Sequence, residues 1–251
     1  MTTYRTAEVA GMIGIHPNTV RFYEKAGLIP KPERRPNGYR VFTGFHIEQC
    51  RLIRIAFQVE VLQNGLRKKI VQAVKASAAG DFDTAIGLSR EYLGQIRQEQ
   101  RNAEEAVEIV RQLLSGGPPP HTQWLKRKEV SQTLGISMDA LRNWEMNGLL
   151  TVKRKSNGYR VYTDEDIQRL KIIRSLRHAN YSLEAILRLL QQVSRNPDTD
   201  IRAALNTPRQ SEDIISVCDR LIVSLSAAER NACRMVDMLQ EMKRRYGEIG
   251  M

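Results

Sequence analysis

The stretch TVRFYEKAGLIPKPERRPNGYRVFT, residues 19–43, decides the fold. Its first part reads as a short helix that stops at Gly27, because glycine supplies the backbone on which helices end. Pro30, Pro32 and Pro36 then forbid helix. Asn37-Gly38 is the strongest short hairpin signal, and an extended YRVFT follows it. Upstream, TAEVAGMI (6–13) places Val9, Met12 and Ile13 on one helical face. Gly14-Ile15 makes a tight turn, and Pro17 sits at a first-turn position where its missing N–H costs nothing. Two short helices across a glycine turn form a helix-turn-helix, whose second helix usually enters the major groove of DNA. The hairpin is then a wing, and Arg34, Arg35 and Arg40 around its tip suit the phosphate backbone.

The same pattern occurs twice. A shift of 121 sets Glu8-Val9 on Glu129-Val130 and Gly14-Ile15 on Gly135-Ile136. It also sets Arg21, Glu24 and Gly27-Leu28 on Arg142, Glu145 and Gly148-Leu149, giving 8 identities in the 22 positions from 8 to 29. With one residue less, NGYRVFT (37–43) meets NGYRVYT (157–163), 6 of 7 identical. Common order, common spacing and a single indel in a turn mark a duplication. In the second wing Lys153, Arg154, Lys155 and Arg160 hold the basic places.

Two further helices and one long helix follow in each repeat. Thr163 with Asp166 reads as a capping-box start, after which Ile167, Leu170, Ile173 and Leu176 turn inward. SLEAILRLL (182–190) makes the next helix. In the first long helix Leu93, Ile96, Gln100, Ala103, Val107, Val110 and Leu114 recur at spacings of three and four, a coiled-coil seam interrupted only by Gln100. In the second, residues 212–246 carry a broader stripe that includes Ile215, Cys218, Ile222, Leu225, Val236 and Leu239. The expected fold is mainly α. Its segments are a winged module (1–75), a connecting segment with the first long helix (76–114), a Gly/Pro linker (115–121) that cannot be helical, a second winged module (122–195), and the second long helix with its tail (196–251).

Composition agrees. The chain of 251 residues is 41% hydrophobic, and its net charge of +11 is concentrated in two blocks. Residues 1–75 carry +8 and residues 120–195 carry +7, while 76–119 carry −3 and 196–251 carry −1. Two matched basic blocks fit two contacts with a polyanion better than a uniformly solvated surface does. No run of eighteen apolar residues and no signal-peptide pattern occurs, and the three cysteines are too few for a disulfide scaffold, so the cytoplasm is the expected compartment and no membrane the expected partner.

With TVRFYEKAGLI and RRPNGYRVFT in one half and LRNWEMNGLL and SNGYRVYT in the other, the chain closely resembles the MerR family of bacterial transcription regulators. The resemblance implies double-stranded promoter DNA as the partner, RNA polymerase holoenzyme at the promoter, and activation by bending and untwisting a long spacer. Family members are homodimers joined by antiparallel long helices. Two such protomers in one polypeptide imply an intramolecular pseudo-dimer, the alternative being a homodimer with four modules. By the same resemblance Asn18, Thr19, Arg21 and Tyr23 face the groove, and Arg35, Tyr39 and Arg40 grip the backbone. In the second module Arg142, Trp144, Lys153, Arg154, Lys155, Tyr159 and Arg160 do so. Tyr23 and Tyr39 have a competing reading as core aromatics. Asp139 and Ala140 replace Asn18 and Thr19, so the expected site is asymmetric: asparagine reads adenine, whereas aspartate is repelled by phosphate and accepts from cytosine N4.

No cofactor is expected. Cys218 and Cys233 are fifteen residues apart, too far along one helix to share an ion, and Cys50 aligns with the core position Leu170. No nucleophile–base pair or phosphate loop suggests an enzyme; Glu24 and Glu145 read as intramodule salt bridges. An effector, if there is one, is a small hydrophobic compound between the halves along the stripe with Met235, Met238 and Met242, or that stripe is core packing against 182–205. A drug-sequestering resistance protein and an architectural DNA-coating protein are the other readings.

Overall fold

The computed structural model describes residues 2–58, 66–116, 124–154, 158–196, 198–207 and 220–247, with only the backbone of Arg154. They fall into two compact units: Met1–Gln98 together with Leu225–Met251, and Glu99–Ser224.

The first unit begins with α1 (Thr6–Ile13) and α2 (Pro17–Lys25). Glu8 starts α1 by accepting from the backbone N–H of Arg5 at 2.6 Å. The helix stops at Gly14, whose φ of 71° would strain any other side chain. His16 caps α2, its Nδ1 accepting from the Asn18 N–H at 3.2 Å. The wing is β1 (Glu33–Arg34) antiparallel to β2 (Arg40–Val41), with Glu33 opposite Val41 and Arg34 opposite Arg40. Tyr4 pairs with Phe42 through two backbone hydrogen bonds of 2.8 and 2.9 Å, a contact absent from the sequence reading. Val9, Val20, Leu28, Phe42 and Ile53 are buried, and they anchor the module on α3 (Gly44–Ala56). Buried Gln49 donates to the carbonyls of Leu28 (3.0 Å) and Val74 (2.8 Å) and accepts from the Ser77 hydroxyl (2.8 Å), stapling the end of α2 to α4 (Leu66–Ala78). A buried amide this fully partnered fixes geometry without a desolvation penalty.

The rest of the unit comes from both long helices, α5 (Phe82–Ser115) and α11 (Leu221–Tyr246). They run antiparallel here: Asp83 pairs with Lys243 at 2.5 Å and Arg97 with Glu229 at 2.7 Å, an advance of fourteen residues on one helix and a retreat of fourteen on the other. Ile96 on α5 and Leu225, Ala232, Met235, Leu239 and Met242 on α11 are buried. Hence the long helix of the second repeat closes on the module of the first.

The second unit repeats the plan with β3 (Leu125–Lys126), α6 (Arg127–Leu134), α7 (Met138–Met146), β4 (Lys153–Arg154) and β5 (Arg160–Tyr162). The sheet has the order β3-β5-β4, and β3 extends the contact that Tyr4 makes in the first unit. Ser137 takes the capping place of His16, accepting from Ala140 N–H at 3.0 Å. Helix α8 (Asp164–His178) starts on the expected Thr163–Asp166 box, and α9 (Leu183–Arg195) starts on Ser182. Arg169 donates to the Leu149 carbonyl at 2.6 Å, the place Gln49 fills in the first unit. Helix α10 (Ile201–Asn206) is held by buried Arg188, which donates to the Ala204 carbonyl at 2.8 Å. The C-terminal part of α5 packs here: Asn180 donates to Glu99 (3.1 Å), Arg202 pairs with Glu104 (2.6 Å), and Gln168 donates to the Leu113 carbonyl. Each module is thus completed by the end of the other repeat's long helix.

Two expectations are adjusted. Tyr92, not Leu93, is the buried residue at its turn of α5, and Leu93 is half-buried, because a helix flanked by a whole module needs a wider apolar face than a two-helix seam. Ser115, expected in a non-helical linker, is the last residue of α5, its hydroxyl donating to the Gln112 carbonyl at 3.1 Å; residues 117–121 lie outside the described residues. The second long helix is described from Leu221 to Tyr246, and the expected start at 212, with Ile215 and Cys218, lies outside the described residues. Among the described residues no helix is long and apolar enough to cross a membrane.

Candidate nucleic-acid interface

Val20 is fully buried and pins α2 to the module, leaving the opposite face of the helix to solvent. On that face Asn18 and Arg21 are exposed and joined, the Arg21 guanidinium donating to Asn18 Oδ1 at 2.9 Å. Thr19 beside them is half-buried. Phe22, which the sequence reading passed over, is 60% exposed one turn from Asn18, and Lys25 is exposed as well. Tyr23 is half-buried and faces α3: burial raises its pKa, the Cys50 thiol raises it further, and Arg54 opposes. Its position supports the core-aromatic reading.

The wing is fixed to this helix by a carboxylate. Glu24 accepts from Arg40 Nε at 2.5 Å and lies 3.8 Å from Arg34, with only 12% of its side chain exposed. In the second unit Glu145 pairs with Arg160 at 2.8 Å and accepts from the Tyr162 hydroxyl at 2.6 Å. Burial is the main cause raising the Tyr162 pKa, followed by that hydrogen bond. Arg40 and Arg160 therefore orient the wing on its helix, a role their expected assignment omitted. At the tips Arg35 is exposed, and Tyr39 and Tyr159 are 69% and 71% exposed, which places both tyrosines on the surface rather than in the core. Gly38 and Gly158, at φ 81° and 79°, give the tip its turn.

The second recognition helix differs. Arg142 is exposed, as are Asp139, Asn143 and Met146. Trp144, expected among the DNA-facing residues, is instead only 6% exposed. It lies three residues from fully buried Leu141, so both share the inward face of α7 and the ring serves the core. Lys153 is exposed, the side chain of Arg154 is not described, and Lys155 lies outside the described residues. Cys50 is buried, which pushes its thiol up to about 12 and leaves it unreactive near neutrality. Among the described residues no group of three His, Cys, Asp or Glu side chains gathers as a metal site would require.

Residues 5–42 match the family described as MerR family regulatory protein, and residues 125–193 match the MerR HTH family regulatory protein. The mercuric resistance operon regulatory protein of Bacillus cereus is 28% identical over 113 residues, covering 44% of this chain and 80% of that protein. The regulator CueR of Escherichia coli O6:H1 is 42% identical over 53 residues, 21% of this chain and 39% of CueR. ZntR of E. coli K12 is 36% identical over 63 residues, 25% of this chain and 45% of ZntR. The match thus spans less than half the length of CueR and ZntR. No solved structure matches the chain. Two separate family matches, each falling on one winged helix-turn-helix of a duplicated chain, show that this protein carries the helix-turn-helix region of MerR family regulatory proteins twice.

Proposed function

We propose that the chain is a transcription regulator that binds one asymmetric promoter duplex through its two modules as a single-chain pseudo-dimer. The observation that carries this reading is the unequal pair of exposed faces on otherwise equivalent helices. Asn18, Arg21, Phe22 and Lys25 on α2 stand against Asp139, Arg142, Asn143 and Met146 on α7. The first face carries two positive charges and opens on the amide of Asn18, while the second has one charge of each sign and opens on Asp139, its amide Asn143 lying one turn further on. Identical half-sites would waste that difference. Completion of each module by the other repeat's long helix supports both modules working within one chain. Exposed wing cations supply the sequence-independent, salt-sensitive part of affinity. Distortion of the promoter spacer and engagement of RNA polymerase belong to the same proposal, as does residence with the nucleoid in the cytoplasm.

The test is selection from a pool of random duplexes at about 150 mM salt, a concentration at which weak phosphate-only binding is suppressed. Enrichment of two half-sites of different sequence at a fixed spacing is expected. A perfect palindrome, or no preferred sequence, would overturn the reading; uniform coating of long DNA would favour an architectural protein instead.

A further inference from the structure

In the first unit the start of α3, the turn between α4 and α5, and the last turn of α11 enclose a cavity of about 800 Å³. Tyr4, Phe45, Phe82 and Tyr246 line it, and Lys31 and Glu33 at the base of the wing close one side. Phe45 lies edge-on to Phe82 with ring centres 6.0 Å apart, and 5.0 Å from the ring of Tyr246. Lys31 and Glu33 carry opposite charges, so the lining offers aromatic faces and no net charge. The volume lies within the range of about 300–1,000 Å³ common to small-molecule sites. Tyr4, Phe45 and Tyr246 are only half-buried, leaving ring surface that an apolar ligand would remove from water.

The duplication provides an internal control. In the repeat alignment Phe45 corresponds to Glu165 and His46 to Asp166. There the second unit has a recess of about 320 Å³, lined by Glu165, Asp166, Gln168 and Arg169 with Leu114 from the end of α5. Both modules fold on the same plan, so the fold does not demand the aromatic version. We propose that the cavity of the first unit binds one small, uncharged aromatic compound per chain, and that the second unit has no equivalent site. Its occupant touches both the base of the wing and the last turn of α11.

The full-length chain is titrated with N-phenyl-1-naphthylamine, an uncharged dye that brightens in apolar surroundings. Saturation at one dye per chain is expected. Tyr246→Ala removes a wall. Ala79→Trp fills the cavity from an exposed turn position that lines it, and so leaves the core intact. Each should weaken binding at least tenfold, while Val193→Trp in the other recess changes nothing. Thermal melts establish that each variant is folded, and Ala79→Trp suffices if Tyr246→Ala is not. Absence of saturable binding, two dyes per chain, or binding that ignores a folded cavity variant overturns the proposal.

Discussion

Glu24 places a negative charge on the helix proposed to meet DNA, and a charge tally alone would count it as harmful. Its carboxylate is largely sheltered and holds Arg40 at 2.5 Å, so what it contributes is wing position. Glu24→Gln should therefore weaken binding to the selected duplex roughly tenfold, the equivalent of about 1.4 kcal/mol. Fluorescence anisotropy at fixed salt measures this, and tighter binding would show that the charge itself dominates. His46 offers a second residue-scale test. Its Nδ1 accepts from the Thr43 N–H at 3.1 Å, and burial, the largest cause, lowers its pKa despite the opposing Pro30 carbonyl and Glu24. The folded protein favours the neutral ring, so the unfolded chain takes up the proton first. Stability is then lost as pH falls below about 6.5, by up to about 1.4 kcal/mol per pH unit from this group. His46→Asp copies the Thr163–Asp166 box of the second unit, and urea melts between pH 7 and 5.5 should show a shallower decline. An unchanged slope would assign the pH dependence to other groups.

At the scale of elements, the antiparallel pairing of α5 and α11 in the first unit carries the most consequence. Ile96 is fully buried between the Asp83–Lys243 and Arg97–Glu229 pairs. Ile96→Ala should cost about 2–5 kcal/mol by chemical denaturation, the range for a deleted core side chain. A cost under about 1 kcal/mol would mean that the helix does not depend on this seam. Much of this layer was legible in the sequence. TAEVAGMI is α1, the Thr163–Asp166 pair does start α8, and Asn37-Gly38 does form the first wing tip. What escaped has physical reasons. The contacts of Tyr4 and Leu125 involve one or two residues each, too few to show a strand's alternation. Trp144 was aligned correctly with Tyr23, but alignment gives a position and not the direction a side chain faces. Helical spacing does give direction: Leu141 and Trp144 are three apart and face inward, whereas Asn18 and Phe22 are four apart and face out. The cavity escaped because its walls come from residues 4, 45, 82 and 246, which only folding brings together.

For the whole molecule, a charge of +8 on residues 1–75 and +7 on residues 120–195 puts two DNA-binding surfaces on one chain of 28.7 kDa. Each unit of this chain draws on both repeats. On the proposed reading, such a chain makes internally the contacts between long helices that would otherwise recruit a second copy. On that reading too, the unequal faces of α2 and α7 fix which way round it lies on DNA. The most direct test of this account is the mass of the complex with the selected duplex, measured by light scattering. It should equal the duplex plus one chain of 28.7 kDa, while a mass equal to the duplex plus two chains would contradict the single-chain pseudo-dimer.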